Sequence, residues 1–216
     1  MPTLKRDDDV YVLDLGDSEN RFHPDWLAAV NIALDEVEQA PAPLVTTASS
    51  KIYSNGLDLD WLGHHPDQLQ AYVGQVHGLL ARMLAFPTPT VAAIPGHAFA
   101  AGAMFALAHD FRVMRADRGY FCLPEVDINI PFTPGMAALI QGKLTPAAAH
   151  EAMTTGRRYG GTDAHAAGLV DEAVPEDEVL STALDRVRPL AGKNPQTLSA
   201  IKTQMYTRQL AALREG

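Results

Sequence analysis

Residues 90–114 read TVAAIPGHAFAAGAMFALAHDFRVM, and this stretch decides the fold class. TVAAI is a short run of β-branched and small apolar residues, the pattern of a strand buried on both faces. PGHAFAAGA follows, a tight passage of small residues leading into a helix that ends near His109. FRVM then begins another strand. Strand, helix and strand in that order imply a right-handed crossover and layered α/β structure.

The same alternation extends upstream. Residues 10–15, VYVLDL, form a strand, and Gly16-Asp17-Ser18 a turn. Pro24-Asp25-Trp26 opens a helix with an apolar face of Trp26, Leu27, Val30, Ile32, Leu34 and Val37. Pro41 and Pro43 bound the strand 44–48, LVTTA. A polar loop, SSKIYSNGLDLD at 49–60, carries the Asn55-Gly56 turn signal. A long helix over 67–84 is broken by Phe86-Pro87-Thr88-Pro89. From Thr145 the pattern turns mostly helical, over 145–154, 162–167, 176–190 and 195–213, with one apolar run at 169–174. The expected organisation is an α/β core over residues 1–144, then a core-closing segment and helical region over 145–216.

Composition narrows the function. A formal net charge of −9 argues against a nucleic-acid surface, which needs a clustered basic face. It leaves room for an anionic ligand held by a few lysines or arginines and by backbone amides. The single cysteine, Cys122, can make no internal disulfide and no thiolate metal site, so no metal is expected. No apolar run reaches the length of a membrane span, and the start lacks the apolar stretch of a signal peptide. The last residues, LREG, are not a peroxisomal address. A cytoplasmic location is the expectation.

Three segments can carry chemistry. Residues 53–59, YSNGLDL, and 96–103, GHAFAAGA, each follow a buried strand and leave backbone N–H groups unshielded. Two such donors converging on one oxygen make an oxyanion hole, and the second loop enters a helix N-terminus that favours negative charge. Plain tight turns fit the same residues. The third segment is CLPEVDINIP at 122–131. A carboxylate at Glu125 among apolar neighbours would have a raised pKa and could serve as base or acid near neutral pH. A surface carboxylate, or one paired with arginine, fits the pattern as well.

Together the segments SNGLDL, VAAIPGHAFAAGAMFALAHDFRVMRAD, CLPEVDINIPFTPG and GRRYGGTDAHAAGLVDEAVP resemble the crotonase superfamily, the enoyl-CoA hydratase/isomerase family. They come in the family's order, and the resemblance runs from about Val10 to Leu213. It implies a spiral of ββα units, a C-terminal helical trimerisation region, and a homotrimer or dimer of trimers. It also implies an acyl-CoA substrate, with coenzyme A part of the substrate and no separate cofactor. By motif position the thioester oxygen would lie between the N–H groups of Leu57 and Ala101. Asn55, Gly56, Gly102, Met104 and Phe132 would contact substrate, and Arg21 and Lys51 would reach coenzyme A phosphates. Members often have glycine where Ala101 stands, but alanine keeps the N–H.

The resemblance also bears on the reaction. Family hydratases use two glutamates. One matches Glu125, and the position of the other is Met104, which can neither accept nor donate a proton. One carboxylate suffices to move a proton from C2 of a 3-enoyl thioester to C4, the pattern of Δ3,Δ2-enoyl-CoA isomerases. Hydration, decarboxylation, thioester hydrolysis and non-catalytic acyl-CoA binding are the alternatives. Asp58 is expected to fix its loop rather than act as a second carboxylate. Asp127 would face away from Glu125 if that segment is extended. Adjacent His64 and His65 are a weak metal signal, and Cys122 reads as a buried small side chain. Family chains usually carry a further helix over the pocket, so a more open pocket is expected here.

Overall fold

The computed structural model describes residues 1–215, and Gly216, the last residue of the expected helical region, lies outside them. Its larger sheet holds β1 (Thr3–Asp7), β2 (Val10–Asp14), β3 (Leu44–Thr47), β5 (Thr90–Ile94), β7 (Phe111–Arg115) and β9 (Glu172–Val174), side by side in that order. Only β1 runs antiparallel to its neighbour. A smaller parallel sheet holds β4 (Ile52–Ser54), β6 (His97–Phe99) and β8 (Phe121–Cys122). The helices α1 (Pro24–Gln39), α2 (Leu59–His64), α3 (Leu69–Leu84), α4 (Ala101–Ala108) and α5 (Pro134–Lys143) alternate with these strands. α6 (Pro146–Thr155), α7 (Gly161–Ala166), α8 (Val179–Val187), α9 (Pro195–Met205) and α10 (Thr207–Glu215) follow.

A single unit is used three times. A strand of the larger sheet passes into a strand of the smaller one and then into helix: β3–β4–α2–α3, β5–β6–α4, β7–β8–α5. This is the spiral of ββα units that the sequence implied. The smaller sheet is where the three units meet, so the loops leaving β4, β6 and β8 open on one region.

The larger sheet is buried on both faces. In β5, Ala92 and Ile94 join the main core with Leu13, Leu34, Leu80 and Phe105. The intervening Val91 and Ala93 pack with Val10, Val45 and Val113 against Val179, Ala183, Leu184 and Val187 of α8. The two-residue period of a strand divides its side chains in this way, and the covering helix accounts for the unbroken apolar reading of TVAAI.

Near the C-terminus, Lys202 of α9 is buried and donates to the carbonyls of Phe86 and Thr88, each at 3.0 Å, and to Asp110 at 2.7 Å. α10 lies on α5 so closely that a Cβ on Gly135 would come within 2.8 Å of the Leu213 Cα. No helix among the described residues is long and apolar enough to cross a membrane.

The structure departs from the sequence reading in several places, among them Ile32, counted on the apolar face of α1 but 68% exposed, and α2, which begins inside the expected loop. β1, TLKRD, is a charged edge strand with no apolar alternation. The strands of the smaller sheet have two or three residues, too few to show a period. α5 lies where no helix was expected, because Gly135 and Gly142 weaken its pattern. The helix expected over 195–213 is two, divided at Tyr206.

Candidate active site

The first loop is held from both ends. Asn20, buried and at φ 49°, donates its side-chain amide to the carbonyls of Ile52 at 2.9 Å and Tyr53 at 3.2 Å. Ser54 Oγ donates to the Asn20 carbonyl at 2.7 Å and accepts from the Gly56 N–H at 3.0 Å. The Gly56 carbonyl accepts from the Phe22 N–H at 2.7 Å. Beyond it, Asp58 caps α2 through the Trp61 N–H at 3.0 Å, and its own N–H donates to the Tyr72 hydroxyl at 2.8 Å. Between these anchors the Leu57 N–H has no acceptor among the described residues.

The second loop is drawn tight by the Ala100 N–H donating to the Cys122 carbonyl at 3.0 Å. Ala100 takes φ 51° and ψ −127°, backbone angles that L side chains seldom adopt. The chain then enters α4, whose first turn closes with the Met104 N–H on the Ala100 carbonyl at 3.0 Å. Ala101 is the first residue of α4, so its N–H has no intrahelical acceptor and finds none elsewhere among the described residues.

Two glycines bring the loops together. Gly56 has φ +77°, and a Cβ there would lie 2.7 Å from the Ala101 nitrogen. A Cβ on Gly102 would lie 2.4 Å from the Ser54 carbonyl oxygen. Side chains at either position would force the two free amides apart.

The carboxylate comes from the segment after β8. Glu125 is only 6% exposed, and its buried Oε2 has no hydrogen-bond partner among the described residues. Burial pushes its carboxyl up from the ordinary 4.5 to about 7. The segment is a series of turns, so the condition under which Asp127 would face away, an extended backbone, is not met: the N–H groups of Asp127 and Ile128 both reach the Pro124 carbonyl, and Ile130 reaches that of Glu125. Asp127 is exposed and abuts Gly156.

These groups share a cavity of about 360 Å³, lined by Asn55, Leu57, Ala101, Met104 and Glu125 among others. Glu125 is its only carboxylate among the described residues. Met104 is both helix core and cavity floor. Gly56 and Gly102 do not line the cavity but set its loops. Phe132 does not line it either and packs against the main core, in the lead-in to α5.

Arg21 lies outside the cavity, paired with Glu19 and Asp60 at 2.6 Å each, an environment ill suited to a phosphate. Lys51 is exposed, also outside the cavity, and its charge helps hold the His97 pKa down. Burial is the larger cause there, and Arg118 and Arg158 add to it. His64 and His65 turn their Nδ1 atoms to the carbonyls of Asp60 and Trp61. Cys122 is buried, with Sγ toward the Gly156 carbonyl.

The sequence reading missed Phe99, Met136 and Arg158 in the cavity wall. Arg158 lies over the Phe99 ring at 5.8 Å and has no carboxylate partner among the described residues. The pair Arg157-Arg158 was visible in GRRYGG, but only the fold shows that the first is paired with Glu151 and the second is not.

Known proteins match this chain in sequence and fold. The profile described as Enoyl-CoA hydratase/isomerase matches residues 6–215. Enoyl-CoA delta isomerase 3 of Arabidopsis thaliana is 36% identical, over 95% of this chain and 92% of its own. The same plant's peroxisomal enoyl-CoA delta isomerase 2 is 37% identical over the same shares. A solved structure of a probable enoyl-CoA hydratase from Mycobacterium tuberculosis H37Rv superposes with a TM-score of 0.93 at 28% identity, over 100% of this chain and 92% of that one.

Proposed function

The chain belongs to the enoyl-CoA hydratase/isomerase family, and from that premise we propose that it shifts the double bond of 3-enoyl-CoA thioesters to position 2. The observation that carries this reading is a cavity with one buried, unpartnered carboxylate, Glu125, and a methionine at the other family position, Met104.

The thioester oxygen accepts from the N–H groups of Leu57 and Ala101. Charge grows on that oxygen as the C2 proton leaves, so both donors hold the dienolate more strongly than the ground state. Each is worth about 3 kcal/mol when aligned. Glu125 takes the C2 proton and returns it at C4. The proton count closes on the substrate, no water is consumed, and coenzyme A enters and leaves as part of substrate and product without another cofactor. Lys51, Arg118 and Arg158 supply positive charge for its phosphates, while Arg21 remains with its own carboxylates.

A homotrimer, or a dimer of such trimers, is the assembly proposed, and the exposed Ile201 and Met205 of α9 give it an apolar face. Sedimentation tests that. The free thiol of Cys122 suits a reducing, cytoplasmic setting, which cell fractionation tests.

The function is tested with 3-hexenoyl-CoA, following formation of the conjugated product. Glu125→Gln should lower kcat/KM by about 10²- to 10⁴-fold. A Gln variant at full rate removes Glu125 from the mechanism. The same mycobacterial protein is described once as a probable hydratase and once as an isomerase, so hydration is the second reading. Hydration of a 2-enoyl-CoA as fast as isomerisation would establish it despite Met104.

A further inference from the structure

Leu59, Ile128 and Ile130 line the cavity that holds Glu125, yet they are 42%, 43% and 36% exposed. The cavity floor is different, because Met104 and Met136 are buried. The apolar lining therefore reaches the surface at these three residues. Large aliphatic side chains left at solvent beside a cavity mark a place where an apolar partner lies. Another part of the lining has the other character: Arg158 lies over Phe99, and outside the cavity Lys51 and Arg118 join it in placing positive charge near His97. The lining thus carries an aliphatic group of residues and a cationic one.

Resting on the enolate reading of this site, we propose that the substrate's acyl tail leaves the cavity across Leu59, Ile128 and Ile130, making this a site for long-chain acyl thioesters. The thioester is fixed between Leu57 and Ala101 with C2 and C4 at Glu125. The phosphates belong on the cationic flank, so the aliphatic flank is the path left for the tail. A lining open to solvent at its rim does not reject length. Each added methylene instead leaves water against isoleucine and leucine. A methylene fully removed from water gains about fourfold in affinity, and one on a half-exposed trough about twofold.

The test is calorimetric binding of butanoyl-, octanoyl- and dodecanoyl-CoA to the full chain, below their micellar concentrations, and needs no turnover. Affinity should rise about twofold per methylene, or roughly 10²-fold from the shortest to the longest. In the variant carrying Ile128→Ser and Ile130→Ser the gain should fall to about 1.2-fold per methylene. Affinity that is flat or falls with chain length overturns the proposal, as does an unchanged slope in the double variant. A double variant that sediments as a smaller assembly with its slope intact makes the rim an interface between copies, which also overturns it. Isomerisation of 3-hexenoyl-CoA is read separately. No turnover with the slope intact removes the isomerase and keeps the tail path, whereas turnover with a flat slope does the reverse.

Discussion

At the scale of single residues, Glu125 is where stability and chemistry conflict. Its carboxyl holds a proton up to about pH 7 in the folded chain, against an ordinary value of 4.5. Between those two values the folded state binds more protons than the unfolded one, so this group makes stability fall as pH rises through the window. Glu125→Gln should therefore melt higher than the parent at pH 8, by up to about 3 kcal/mol, and the two should converge below pH 4.5. Differential scanning calorimetry across that range checks it. Activity should run the opposite way: as a base Glu125 must be ionised, so kcat/KM should climb with pH through about 7 with the slope of one proton. A pH–rate profile flat from 5 to 9 removes the carboxylate from the rate. Glu125 was legible in the sequence as an acid among apolar residues. The absence of a partner for Oε2 was not, since that depends on what the fold leaves nearby. Phe132 was misplaced for a related reason: it leads into α5, a helix the sequence did not reveal.

At the scale of elements, the loops are set by backbone contact, and small changes act through it. Gly102→Ala would press a methyl group against the Ser54 carbonyl at 2.4 Å, where only main chain can give way. The amides should separate by a fraction of an ångström or more, and kcat/KM should fall by about 10²-fold. A variant with native kinetics would mean that the loops are less tightly joined. Ala100 offers the reverse case. At φ 51° its methyl group is strained, and Ala100→Gly should raise stability by about 1 kcal/mol despite the extra freedom of the unfolded chain. A urea melt measures that. The small residues of both loops were plain in the sequence and pointed to exposed amides. The strands that aim them, Ile52–Ser54, His97–Phe99 and Phe121–Cys122, were not, because each is too short to show an alternation.

At the scale of the whole molecule, the helical last third is tied into the core by charge as well as by packing. Lys202→Met would leave the buried carbonyls of Phe86 and Thr88 without this donor, and the half-buried Asp110 with Thr90 as its remaining partner and no cation. Breaking a buried pair in this way costs about 3–5 kcal/mol, and Tm should drop by roughly 6–20 °C at this chain length. An unchanged Tm would mean that water replaces the amine at no cost. The contact of Gly135 with Leu213 reaches further, because α5 also carries Met136 into the cavity floor. That contact makes the site depend on the order of synthesis. The ribosome has made Leu57, Ala101 and Glu125 long before it makes α10, yet until Leu213 arrives the helix behind Met136 rests on α4 and α6 alone and lacks its most extensive partner. A nascent chain stalled at residue 206 would carry every reacting group and still lack a firm floor beneath them. The enzyme would acquire its activity only once α10 has been made.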